Sequence, residues 1–66
     1  MTGEELRKYR IKAHYTQERL GLELGYSIAS AERTVQLWEH DTRSIPMKQV
    51  RKLAKLLDLP IEKFIP

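Results

Sequence analysis

Residues 15–46 read YTQERLGLELGYSIASAERTVQLWEHDTRSIP, and this stretch holds the most informative helix signals of the chain. Thr16 is a suitable N-cap for a helix over 17–24, because its hydroxyl oxygen can accept a hydrogen bond from the free backbone N–H groups of the first turn. Gly25 follows, and glycine readily takes the left-handed conformation that ends a helix. A second helix ends near Glu39 or His40. The stretch therefore predicts two short helices joined by a turn, a helix-turn-helix.

The flanking residues predict three further helices. Thr2 and Glu5 form the capping-box pattern that opens a helix over 3–13. Proline suits the first turn of a helix, so Pro46 or Met47 begins another that ends at Leu57. A short fifth helix starts at Pro60. No stretch alternates apolar and polar residues as a strand does, so the predicted fold class is all-α.

The start of the third helix is open at this level. An apolar stripe at steps of three, four and three is formed by Ile28, Ala31, Val35 and Trp38. This spacing favours a long helix that begins near Ser27 and buries Ile28. The alternative is a longer turn, with the helix starting near Ser30. We expect Trp38 to lie in the core, where its indole N–H needs an acceptor.

One glycine lies inside a predicted helix. Gly21 costs about 1 kcal/mol there relative to alanine. We expect the compensation to be the close approach of another helix.

Length and composition exclude several classes of protein. The 66 residues predict one domain, residues 1–66, with no room for an enclosed substrate cavity beside its own core. There is no cysteine, and His14 and His40 lack metal-ligand spacing, so we predict no disulfide, metal, cofactor or enzymatic activity. No apolar run suggests a membrane partner, and no small-molecule site is evident. The net charge of +3 and pI of about 9.5 favour a polyanion.

The chain resembles the helix-turn-helix domain of the phage repressor and Cro family, the XRE type. The residues that carry the resemblance are Arg10 in helix 1, Thr16-Gln17-Glu18 at the start of helix 2, and Trp38-Glu39 before a loop with Arg43 and Pro46. It covers Leu6 to Ile65. Two features depart from the family pattern. Six residues, 28–33, separate Ser27 from Thr34 where the family usually has two, which is an insertion of about one helical turn. Asp41 replaces a glycine but tolerates the left-handed conformation.

The resemblance implies a compact five-helix bundle of the lambda-repressor-like type. It implies a cytoplasmic, bacterial or phage-encoded, sequence-specific regulator of transcription, repressor-like, that inserts helix 3 into the major groove of double-stranded DNA. Two half-sites about 34 Å apart would require a homodimer on a near-palindromic operator. The alternative is a helix-turn-helix adaptor or antitoxin-type module whose main partner is a protein.

Arginine can grip guanine and glutamine can grip adenine through paired hydrogen bonds. The best base readers are therefore Arg33 and Gln36, and further candidates are Thr34, Leu37, Ser30, Glu32 and, with an early helix start, Ala29. The family implies phosphate contacts by Gln17, Arg43 and Lys48, and Arg19 is an intermediate candidate. The other exposed cations, Arg7, Lys8, Lys12, Arg51, Lys52 and Lys55, are predicted to be solvated.

The family also implies a partly buried ion pair between Arg10 and Glu39. The apolar C-terminal segment serves either the dimer surface or core closure; its residues are Leu59, Ile61, Phe64 and Ile65.

Overall fold

Four α-helices follow one another along the chain. The computed structural model describes residues 1–65, and within them no strand occurs. The helices are α1 (Gly3–Lys12), α2 (Gln17–Glu23), α3 (Ala31–Glu39) and α4 (Met47–Leu57). None of these helices is long and apolar enough to cross a membrane.

The predicted fifth α-helix is instead a 3-10 turn, Ile61–Phe64. The N–H of Lys63 donates to the carbonyl of Pro60 over 3.1 Å, which is the tighter i→i+3 pattern. Four residues are too few for a stable α-helix, so the chain uses the shorter repeat. The five-helix prediction is therefore corrected to four α-helices and one 3-10 turn.

Local capping sets the starts of α1 and α2. The Thr2 hydroxyl accepts from the backbone N–H of Glu5, and the Glu5 carboxylate accepts from the backbone N–H of Thr2. The Thr16 hydroxyl accepts from the N–H of Arg19 over 3.0 Å. After α2, Gly25 takes a φ of +99°. The predicted capping box, N-cap and glycine stop are confirmed.

The core draws side chains from all four α-helices. Its buried members are Leu6, Leu20, Leu24, Val35, Trp38, Leu53 and Leu57. The ring of Tyr26 packs edge-on against Trp38, with centroids 5.9 Å apart. Trp38 thus lies in the core as predicted. Among residues 1–65 its indole N–H has no hydrogen-bond acceptor, so the expected partner is not found there.

The contact between α2 and α3 depends on Gly21. A Cβ atom at this position would lie 2.5 Å from the carbonyl oxygen of Ala31, which is closer than atoms can pack. Only glycine allows the two backbones to approach this closely. The predicted close approach of another helix at Gly21 is confirmed.

The turn between α2 and α3 corrects the prediction of a long third helix. The carbonyl of Ser27 accepts from the N–H of Ser30 over 3.0 Å and from that of Ala31 over 2.8 Å. The Ser27 and Ser30 hydroxyls lie 3.1 Å apart and hydrogen-bond each other. Serine side chains compete in this way with regular helix bonding, so α3 begins only at Ala31. Ile28 is 72% exposed and does not belong to the buried stripe.

The loop after α3 also caps α1. Asp41 has a φ of +57°, so the predicted left-handed conformation is confirmed. Its carboxylate oxygen accepts from the backbone N–H of Gly3 over 2.9 Å. This bond satisfies a free N–H in the first turn of α1 and ties the loop to the start of the chain.

Candidate nucleic-acid interface

A buried carboxylate fixes the C-terminal end of α3. The Glu39 oxygens accept from Arg10 Nε over 2.5 Å and from Arg10 Nη2 over 3.2 Å. Gln17 Nε2 donates to the same carboxylate over 3.1 Å. Arg10 Nη1 in turn donates to the carbonyl of Tyr15 over 2.8 Å. Helices α1, α2 and α3 therefore meet at Glu39, and paired, hydrogen-bonded charges can remain buried there.

The N-terminal half of α3 presents a polar face to solvent. Ala31, Val35 and Trp38 are buried, while Glu32, Arg33 and Gln36 are exposed on the other side. Gln36 lies four residues after Glu32 and three after Arg33, so all three lie on one side of the helix. Arginine offers a fork of donors, and the glutamine amide offers both a donor and an acceptor. The face can therefore form paired hydrogen bonds with flat polar groups.

Three other candidate base readers are less accessible. Ser30, Thr34 and Leu37 are each half-buried, and the Ser30 hydroxyl already bonds that of Ser27. The carbonyl of Leu37 accepts from the N–H groups of Thr42 and Arg43. These residues border the exposed face of α3 and contribute less surface to it.

Ile28, an apolar residue that the sequence analysis missed as a surface candidate, precedes α3. Ile28 and Ala29 are the central residues of the turn closed by Ser27 and Ser30, and both are exposed. The helical spacing of Ile28 predicted a buried side chain, so its exposure was not foreseen. The available signal was the pair of serines on either side, which favours a turn over a helix.

The candidate phosphate-binding side chains differ in exposure and in whether they already bond another residue. Arg43 and Lys48 are exposed on the loop after α3 and in the first turn of α4. Arg19 forms an ion pair with Glu23, with Nη2 2.8 Å from Oε2. Gln17 uses one amide hydrogen on Glu39 and retains a second one, together with its own backbone N–H at the start of α2.

The C-terminal segment divides into packed and exposed residues. Leu59 and Phe64 are partly buried and pack against the core. Ile61 is half-buried, whereas Ile65 is 48% exposed. The segment therefore helps to close the core and also leaves apolar surface at its end.

A helix-turn-helix family model matches residues 6–64, so the chain belongs to the helix-turn-helix family of the repressor and Cro (XRE) type. Domains of this family are DNA-binding regulatory domains. Comparisons with curated proteins and with solved structures each gave no match.

Proposed function

We propose that the protein is a sequence-specific transcriptional regulator of repressor type that reads the major groove of DNA with α3. The observation that carries the proposal is the anchored geometry of α3. One face is buried and tied to α1 and α2 through Glu39, while Glu32, Arg33 and Gln36 face outward. A rigid helix with a polar outer face suits base readout, because paired hydrogen bonds need fixed donors and acceptors.

Within this proposal, Arg33 and Gln36 are the principal base readers. Arg33 suits guanine and Gln36 suits adenine, and Ser30, Glu32, Thr34 and Leu37 complete the surface. Ile28 adds an apolar tip that suits the C5-methyl group of thymine. Gln17, Arg19, Arg43 and Lys48 bind the sugar-phosphate backbone, which positions the domain without reading sequence.

We also propose that one domain, residues 1–66, acts in the cytoplasm as a homodimer on a near-palindromic operator. A single domain of this size contacts too few base pairs for useful specificity in a genome. The support for a dimer is the exposed apolar surface at Ile65, next to the partly packed Leu59, Ile61 and Phe64.

The test is selection from a random duplex DNA pool at about 150 mM salt, where weak phosphate-only binding is suppressed. We expect an enriched motif with two-fold symmetry. Arg33→Ala and Gln36→Ala should each relax the motif at one position and cost about 1–3 kcal/mol on the selected duplex. Arg7→Ala, which removes an exposed cation from α1, is the control and should leave the motif unchanged.

The absence of any enriched motif would contradict the proposal. It would favour a module that binds a protein instead. Binding that Arg33→Ala and Gln36→Ala leave intact would contradict the placement of α3 in the groove.

A further inference from the structure

The excess of positive over negative charge in the protein lies in one helix. Residues 47–57 of α4 carry four cations, Lys48, Arg51, Lys52 and Lys55, and no carboxylate. The rest of the chain carries eight Lys or Arg residues and nine Asp or Glu residues. The two helices and turn at 17–39 have two cations and four carboxylates. The part of the molecule that carries the proposed base readers is therefore net negative.

The four cations form a continuous stripe, called here the α4 stripe. They lie at positions i, i+3, i+4 and i+7, which share one face of a helix. All four are exposed, and Val50, Leu53, Ala54 and Leu57 are buried on the other side of α4. The stripe is about 10 Å long at 1.5 Å per residue. The ion pairs formed among residues 1–65 join Arg10 to Glu39 and Arg19 to Glu23, and neither includes this stripe.

The α4 stripe is unfavourable for the isolated helix. Like charges three or four residues apart repel each other. The first turn of α4 has no acidic residue, and its N-cap, Pro46, makes no side-chain hydrogen bond. Lys48 there opposes the helix dipole, which favours negative charge at this end. An anionic partner along the stripe would relieve each of these repulsions.

We propose that the α4 stripe binds the phosphates of duplex DNA and supplies the electrostatic affinity that the helix-turn-helix lacks. This inference rests on the proposed function. Duplex DNA carries one negative charge for about every 1.7 Å of its axis, so a stripe 10 Å long faces several phosphates. The first residue of the stripe, Lys48, is already one of the proposed phosphate contacts. Base readout is then assigned to α3 and most of the affinity to α4.

The test compares two double variants that remove the same charge. Lys52→Gln/Lys55→Gln lies in the α4 stripe, and Lys8→Gln/Lys12→Gln lies on exposed positions of α1. Affinity for a mixed-sequence duplex is measured between about 50 and 200 mM salt. The α4 pair should reduce the slope of log K against log salt by about 0.9 for each lost phosphate contact. This corresponds to about 5-fold weaker binding per contact at 150 mM salt. The α1 pair should change the slope little.

Thermal unfolding of the same variants separates binding from folding. Because the α4 pair removes repulsion, it should unfold at the same or a higher temperature while it binds DNA more weakly. A loss of binding accompanied by a lower unfolding temperature would overturn the inference, and so would equal slopes for the two pairs. If the wild-type protein binds no duplex at low salt, the proposed function itself fails. If it selects a motif but the α4 pair keeps the wild-type slope, only the α4 stripe proposal fails.

Discussion

At the residue scale, Glu39 is the group on which the orientation of α3 depends most. Its side chain is 3% exposed, and it accepts hydrogen bonds from Arg10 on α1 and Gln17 on α2. A buried carboxylate is stable only while its partners remain, because burying an isolated charge is costly. The same group thus fixes the helix proposed to read DNA and makes the fold sensitive to the loss of one cation.

We expect Arg10→Met to lower the free energy of unfolding by about 3–5 kcal/mol, because it leaves the Glu39 carboxylate buried without its cation. The double variant Arg10→Met/Glu39→Met should recover part of this loss, since no buried charge remains. Urea denaturation followed by circular dichroism measures both. A double variant less stable than the single one would show that the ion pair is not the source of the effect.

Ile28 tests the turn that precedes α3. Because its side chain is 72% exposed, Ile28→Ala should change the free energy of unfolding by less than about 0.5 kcal/mol. The matched core variant Leu20→Ala should lose about 2–5 kcal/mol. A large loss of stability in Ile28→Ala would show that Ile28 is buried, as the helical spacing predicted.

The same variant tests the proposed thymine contact. Replacing one thymine of the selected duplex by uracil removes only the C5-methyl group. At one position this change should weaken binding of the wild-type protein but not of Ile28→Ala. Equal effects on both proteins at every position would exclude a methyl contact by Ile28.

At the scale of the helix, the capping box of α1 makes stability depend on pH. The backbone N–H and the hydroxyl of Thr2 donate to the Glu5 carboxylate, which lowers the pKa of Glu5 below its ordinary value of 4.5. A pKa that is lower in the folded state gives stability above about pH 4.5 and loses it as the pH falls through the folded value. The cap therefore weakens in acid.

Between about pH 6 and pH 3, we expect the unfolding temperature of the wild-type protein to fall further than that of Glu5→Gln, because glutamine does not titrate. The unfolding temperature of each protein is measured as a function of pH. Subtracting one curve from the other removes the contribution of the other carboxylates, which both proteins share. Parallel curves over this range would contradict a role for Glu5 ionisation in the cap.

The packing of α2 on α3 gives a second prediction at this scale. Gly21→Ala should destabilise the protein by about 1–3 kcal/mol, because the new methyl group meets the backbone of Ala31. In an open helix the same change would stabilise by about 1 kcal/mol, so the sign of the effect is diagnostic. Gly25→Asn is the control, since that site has open space and asparagine tolerates positive φ, and its loss should be smaller.

At the scale of the whole molecule, the distribution of charge limits how two copies of the proposed dimer would meet. A two-fold interface places the same surface on both sides of its axis. The α4 stripe would bring like charges together there, whereas the apolar end of the chain at Ile65 would not. The distribution of charge therefore favours the C-terminal segment as the dimer surface and leaves α4 free for an anion.

Ile65→Asp should weaken dimerisation by about tenfold or more, because it places two carboxylates in an apolar contact. Ile11→Asp is the matched control, since Ile11 is 50% exposed on α1 and lies outside the proposed surface. Sedimentation of both variants, free and on the selected duplex, measures the effect. Equal dimerisation of the two variants would exclude the C-terminal segment.

Much of the fold could be predicted from short patterns. The capping box at Thr2, the N-cap at Thr16 and the left-handed positions at Gly25 and Asp41 are local signals, and the structure agrees with each. The start of α3 could not be predicted in this way. Ile28 has the correct helical spacing for the core, but the hydrogen bonds of Ser27 close a turn before it can continue α3.

In the candidate site, too, the sequence indicates residue types but not which side chains are exposed. The residue types that suit base and phosphate contacts, such as Arg33 and Gln36, are visible in the sequence. Their accessibility depends on packing, which leaves Arg33 and Gln36 exposed but Thr34 and Leu37 half-buried. The bond from Gln17 to Glu39 joins residues 22 positions apart and has no local signature.

From the sequence alone came the existence of four α-helices and the caps of α1 and α2, because caps and helical periodicity act over about four residues. The family followed from short motifs in the same stretches. The start of α3 and the choice of its outward-facing side chains depend on the packing of the helices. So does the burial of the Trp38 N–H, which has no acceptor among residues 1–65. These outcomes depend on contacts between helices, such as Gly21 against Ala31, whose distances no local pattern encodes.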